Sequence, residues 1–233
     1  MGTNPYDVVR QPNLKSGNIV YSVSKVVPVP ASIRTIAGDA IQNLRTALDY
    51  LACGLVLANN HPLTKETGFP ILKGDFRSDI RKSTFDGKVE GMRDEAINVI
   101  KSLNPYKGGD DVLWTINALN NIDKHRLLVA AGTFVFRYNR APLKRAINIL
   151  NPEQLTQTLS DTLVPITGTF PLYEGQEILV DPRDMEPDEN VEFFFEVAIN
   201  EPQEFPPAPL ALVLRQSYRR VVEVVGMLIP FLR

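Results

Sequence analysis

The 233-residue sequence predicts an α+β fold: a helical bundle built on a long N-terminal helix, packed with a mainly antiparallel sheet and a C-terminal helix. Three observations predict it. Apolar residues recur at helical spacing in four long segments. Strand-like runs rich in valine, phenylalanine and threonine are concentrated after Arg126. Those runs follow one another without intervening helices, which argues against alternating βαβ units.

In chain order, residues 1–17 are polar and interrupted by prolines, and a flexible segment is expected there. Residues 19–29 alternate and are valine-rich, as a strand requires, until Pro28 and Pro30 stop them. Ser32 is placed to cap a helix reaching about Asn59, with Ile33, Ala37, Ile41, Leu44, Leu48, Leu51 and Leu55 on one stripe. Its other side carries Asp39, Gln42, Arg45, Thr46 and Asp49, which reads as a solvated face. A long connection follows, punctuated by His61-Pro62, Gly68-Phe69-Pro70 and Lys73-Gly74-Asp75, with a short helix expected at about 75–82. Met92, Ala96, Val99, Ile100 and Leu103 then mark a helix over about 89–103, ended by Asn104-Pro105. Asp110 is positioned to cap the next helix, 110–128.

After Arg126 strands are expected at 127–138, 145–150, 163–172, 176–180 and 191–200, with Glu174-Gly175 as a tight hairpin turn. Phe193, Phe194 and Phe195 alternate faces in such a strand, which suits core packing better than a stacking platform. Prolines 202, 206, 207 and 209 stiffen a connector to the last helix, 210–228. There Leu210, Leu214, Tyr218, Val221, Val225 and Leu228 share a face and Arg215 and Arg219 point away. One domain is expected over 18–233, with a mainly helical half at 18–128, a mainly strand half at 129–200 and the C-terminal helix at 210–233.

Composition bounds the function. With 44% apolar residues the chain can build a substantial core, and 25 basic against 27 acidic side chains give a net charge of −2. No global field therefore attracts nucleic acid or anionic membrane. The one cysteine, Cys53, excludes an internal disulfide framework and reads as a packed thiol; no cofactor or metal is expected. No segment has the length and apolarity of a membrane span, and the amino terminus lacks a basic region followed by an apolar run, so a cytoplasmic protein is expected.

The candidate chemistry lies on two helices. Asn120 and Asp123 project from within the apolar stripe of Val112, Leu113, Ile116, Leu119 and Leu127, so a buried polar network is expected. Asp39, Asn43, Arg45 and Asp49 on the first helix, with Asn120, Asp123, His125 and Arg126, make up the candidate binding cluster. If the helices pack, Arg45 reaches Asp123 and satisfies a largely buried carboxylate. Such a pairing is a helix-to-helix clamp, or it borders a pocket in which Arg45 holds an anion and Asp123 or His125 moves a proton. His125 falls opposite Ile116 on an ideal helix, which exposes it. A second cluster, Arg137, Arg140, Lys144 and Arg145, is suited to phosphate contacts, although an exposed loop balanced by the acids of 181–189 is the favoured reading. A small polar or anionic ligand and a homo-oligomer are the partners in view.

The run Gly38-Asp39-Ala40-Ile41-Gln42-Asn43-Leu44-Arg45-Thr46-Ala47-Leu48-Asp49-Tyr50-Leu51, joined to Asn121-Ile122-Asp123-Lys124-His125-Arg126, resembles a family of uncharacterised bacterial and phage-related proteins. The turn Gly68-Phe69-Pro70-Ile71 and the segment Asn104-Pro105-Tyr106 are similar too, so the resemblance covers about 21–126. It implies a bacterial or phage-related source and assigns no activity. A fainter similarity is to HEPN-type ribonucleases, in which an arginine precedes a histidine by some four to six residues on a helix. Here Tyr50 stands where that histidine is required after Arg45, and no arginine precedes His61 or His125 at that spacing. The expected function is accordingly that of a binding or interaction protein with a polar Arg/Asp/His cluster. A metal-independent hydrolase or ribonuclease using Arg45, Asp123 and His125 is the alternative.

Overall fold

The computed structural model describes residues 6–125, 130–137, 164–165, 173–181, 192–199 and 208–233. The fold is α+β, with long helices at both ends of its helical part and two small antiparallel sheets. The strands are β1 (Tyr6–Pro12), β2 (Ile19–Val26), β3 (Ala130–Arg137), β4 (Val164–Pro165), β5 (Glu177–Asp181), β6 (Glu192–Ile199) and β7 (Ala208–Pro209). The helices are α1 (Ala31–Ala58), α2 (Asp79–Val89), α3 (Asp94–Ser102), α4 (Asp111–His125) and α5 (Leu210–Leu228), and a 3-10 turn, Ile229–Leu232, extends α5.

The chain divides into two compact units, each assembled from separated stretches. One comprises Met1–Pro30 and Ala130–Asn200, the other Ala31–Val129 and Glu201–Arg233. In the first unit β1, β2 and β5 form one sheet in that order, and β4, β3 and β6 pair in another. β1 corrects the expectation of a flexible 1–17 segment. It pairs antiparallel with β2 from Tyr6↔Val26 to Pro12↔Ile19. Tyr6 is buried, and Asn13 accepts the amides of Lys15 and Ser16 to close the turn at 3.0 and 3.2 Å. The prolines obscure this strand in the sequence, yet Pro12 sits at its end, where no ladder amide is required. The turn at Glu174-Gly175 is present, with Gly175 at φ +85°; of the expected strand 163–172 only β4, Val164–Pro165, is described, and the expected strand 145–150 lies outside the described residues.

The second unit holds the candidate site. α1 buries Ala37, Gly38, Ile41, Leu48, Leu51, Ala52, Leu55 and Val56, close to the expected stripe. Ser32 lies inside its first turn instead of capping it. The expected helices at 75–82 and 89–103 are instead α2 and α3, broken at Gly91, whose φ of +83° a helix cannot accommodate. Phe85, Val89, Met92, Ala96 and Ile100 from this pair join Leu48, Leu55, Leu113 and Ile116 in one core.

Asp110 does cap α4: its Oδ1 accepts the amides of Val112 and Leu113 at 3.1 and 3.0 Å. Its Oδ2 accepts a 2.6 Å bond from Arg220 Nε of α5, so a single carboxylate ties two helices. Partial burial opposes the charge on Arg220, but the hydrogen bonds and charges of Glu223 and Asp110 outweigh it and raise the pKa of the guanidinium. On α5 the buried residues are Leu210, Val213, Ser217, Val221, Val224 and Leu228. Tyr218, expected among them, is 61% exposed, because the buried face is turned toward 213 and 217 by the Arg220 tether and the α1 contact.

Candidate functional site

Arg45 and Asp49 lie one turn apart on α1, and both face the Gly68-Phe69-Pro70 segment rather than solvent. Arg45 Nη2 donates to the Phe69 carbonyl at 2.9 Å and lies 3.1 Å from Asp49 Oδ1. That same Asp49 oxygen accepts the Phe69 amide at 2.9 Å. The two side chains thus satisfy both main-chain groups of a residue that lies in no regular element and whose own side chain is fully buried. Gly68 leaves room for the close approach: a Cβ there would lie 3.1 Å from the Asp49 carboxylate, which would have to give by a few tenths of an ångström. The Arg45 side chain is only 11% exposed, against 39% for Asp49. Burial lowers its pKa, partly offset by the Asp49 charge, and a guanidinium in such a site remains charged. The expectation of a solvated face is therefore corrected at Arg45 and Asp49.

The expected Arg45–Asp123 pair does not form. Asp123 rests against Gly38, and a Cβ at Gly38 would overlap its carboxylate. Gly38 precedes Arg45 by two helical turns, about 10 Å. Asp123 is half-buried instead of largely buried, and among the described residues its carboxylate has no ion-pair partner. Asn120, one turn earlier on α4, is buried as the stripe argument requires, at 3% exposure. Arg34, one turn before Gly38, contributes a residue the sequence reasoning missed. Its Nε is buried and has no hydrogen-bond partner among the described residues.

The structure thus separates the candidate cluster into two parts. Arg45 and Asp49 form a clamp, while Asp123 rests against Gly38 where α1 and α4 approach, with Asn120 one turn earlier on α4 and Arg34 one turn earlier on α1. Asp39 and Asn43 are exposed on α1 and join neither group. His125 ends α4, but its side chain, together with Arg126, Arg140, Lys144 and Arg145, lies outside the described residues, as does the side chain of Arg137 on β3. No group of three or more histidine, cysteine, aspartate or glutamate side chains is gathered as a metal site among the described residues. No described helix is long and apolar enough to cross a membrane.

An open groove of about 1010 Å³ runs along α2 and α3, lined by Lys82, Asp86, Glu90, Asp94, Asn98 and Lys101. Most of its polar lining is exposed and of mixed sign, which gives a ligand little to orient it. None of the described candidate site residues lines it. Comparison with protein-family models, curated proteins and solved structures finds no match to this chain.

Proposed function

We propose that the protein works by binding, with Arg45 and Asp49 serving as scaffold rather than as reactive groups. The observation that supports this reading is the enclosure of the pair. Arg45 Nη2 and Asp49 Oδ1 are committed to each other and to the Phe69 peptide, and the guanidinium that an anion would need is almost wholly covered, its unpartnered Nη1 included. An arginine that stabilises a developing negative charge must be able to reach it. This one would first have to release a buried carbonyl.

A second reading keeps the hydrolase or ribonuclease alternative alive at the other half of the cluster. Asp123 is a half-exposed carboxylate without an ion-pair partner among the described residues, and Arg34 carries a buried, unpartnered Nε one turn from the glycine against which Asp123 rests. A base and an anion-holding group in that relation suit proton transfer, with His125 next along α4.

Metal-free protein incubated with single-stranded RNA, and with chromogenic phosphodiester and carboxyl-ester substrates, separates the two. The binding reading expects no turnover above a buffer control, and nucleic-acid association that is weak and lost on adding salt, centred on Arg137, Arg140, Lys144 and Arg145. Turnover abolished by Asp123→Asn in a protein with an unchanged melting temperature would replace it with the enzyme. A bacterial or phage-related source and a cytoplasmic location remain part of this proposal.

A further inference from the structure

Beside its buried face α5 carries a second apolar row. Leu214 and Val225 are half-buried, and Tyr218, Val222 and Ile229 are 61%, 50% and 53% exposed. At helical spacing the four on α5 itself fall within about 80° of one another, and Ile229 opens the 3-10 turn that follows. α1 has a matching row in which Ile36, Tyr50 and Leu57 are 66%, 74% and 55% exposed. Leu232, from the 3-10 turn that continues α5, packs against Gly54 of α1, between Tyr50 and Leu57. Leu232 thus brings the end of the α5 row against the C-terminal part of the α1 row.

The size of that surface matters. Tyr50, Leu57, Tyr218, Val222, Ile229 and Leu232 together leave on the order of 650 Å² in water, comparable to the largest patch that a typical monomer exposes. A standard interface buries about 800 Å² on each partner. Charge is arranged to match: exposed Asp39 lies in the α1 row, and exposed Arg215 and Arg219 border the α5 row. A two-fold axis passing between the rows would set α1 of one copy on α5 of the other. Each apolar row would then cover its counterpart, and each Asp39 would face the arginine side of the second copy, twice over.

We propose that this face is a homodimer interface in which α1 and α5 of two copies form an intermolecular four-helix layer. The dimer is independent of whether the protein binds or catalyses, since neither candidate group lies in the rows.

The test is sedimentation equilibrium of the full chain from 1 to about 100 μM, a range that spans weak and strong self-association. A dimer is expected. Tyr218→Asp and Val222→Asp, each at an exposed position, should give monomers whose circular dichroism and melting at low concentration match the parent. Asp39→Arg should weaken dimerisation by about tenfold or more, and adding Arg215→Asp and Arg219→Asp to it should restore the dimer. A parent that remains monomeric at the highest concentration, a dimer indifferent to the aspartates at 218 and 222, or a charge swap that fails to rescue overturns the proposal.

Discussion

Replacing Arg45 by alanine should destabilise the helical unit by about 3 kcal/mol. Three losses add in that direction. The Phe69 carbonyl, on a fully buried residue, is left without its 2.9 Å donor, which costs about 1–3 kcal/mol. The contact with Asp49, whose side chain is 39% exposed, contributes about 0.5–1 kcal/mol after solvent screening. The covered methylenes of the arginine stem add about 1 kcal/mol of packing. One gain opposes them, because a charge no longer has to be held out of water, and Arg45 Nη1 is itself buried without a hydrogen-bond partner among the described residues. At about 2–4 °C per kcal/mol for a chain of this size, the melting temperature should fall by about 6–12 °C. Urea titration of Arg45→Ala, Asp49→Ala and the double variant measures it. The double variant should be less destabilised than the sum of the singles by about 1 kcal/mol, since the two share the Phe69 peptide. Unchanged stability in Arg45→Ala, or strict additivity in the cycle, would show that the clamp does not hold the turn.

Gly38→Ala should destabilise by about 1–3 kcal/mol despite the better helix propensity of alanine, because its methyl meets the Asp123 carboxylate; Gly38→Ala with Asp123→Ala should recover the parent's melting temperature or exceed it. Asp123→Ala alone, in place of a half-exposed carboxylate with no ion-pair partner among the described residues, should change stability by under about 1 kcal/mol in urea titration. Asp110→Asn retains the amide cap and loses the charge opposite Arg220, so calorimetry should place it between the parent and Asp110→Ala, the latter about 2–4 kcal/mol less stable. Removing everything after Pro209 uncovers the core met by Val221, Val224 and Leu228 and should leave an insoluble or molten chain, whereas a truncated protein with a cooperative melt and dispersed NMR spectrum would show that α5 is an appendage.

What was legible in the sequence is what is local. The stripe of α1, the stop at Asn104-Pro105, the Asp110 cap and the burial of Asn120 all follow from spacing within a few turns of helix. The partner of Arg45 was not legible, because a long guanidinium stem reaches any acceptor within several ångströms and spacing does not reveal which loop folds over it. Arg45, Asp49 and the Gly68-Phe69-Pro70 turn each stand out in the sequence, but as a solvated strip and a loop; only the structure shows that the pair grips the turn. Asp123 was placed on the correct face but given the wrong depth, since the far end of an apolar stripe emerges from the core. Tyr218 failed for a related reason: on α5 apolar residues cover well over half the circumference, and periodicity does not decide which part is buried.

The bond from Arg220 to Asp110 spans 110 residues of sequence. Translation therefore makes the cap of α4 long before its ionic partner, and the helical unit cannot close until the ribosome has delivered the last helix. The strand unit is drawn from both sides of α1–α4, Met1–Pro30 and Ala130–Asn200, so it too awaits later residues while its N-terminal hairpin is already outside the tunnel. At about 5–20 residues per second, the stretch from Asp110 to Arg220 takes on the order of ten seconds to emerge. Through that interval Leu48, Leu55, Leu113 and Ile116 lack the cover that Val221, Val224 and Leu228 supply in the finished core. Those side chains are the ones that a holdase would shield until α5 arrives.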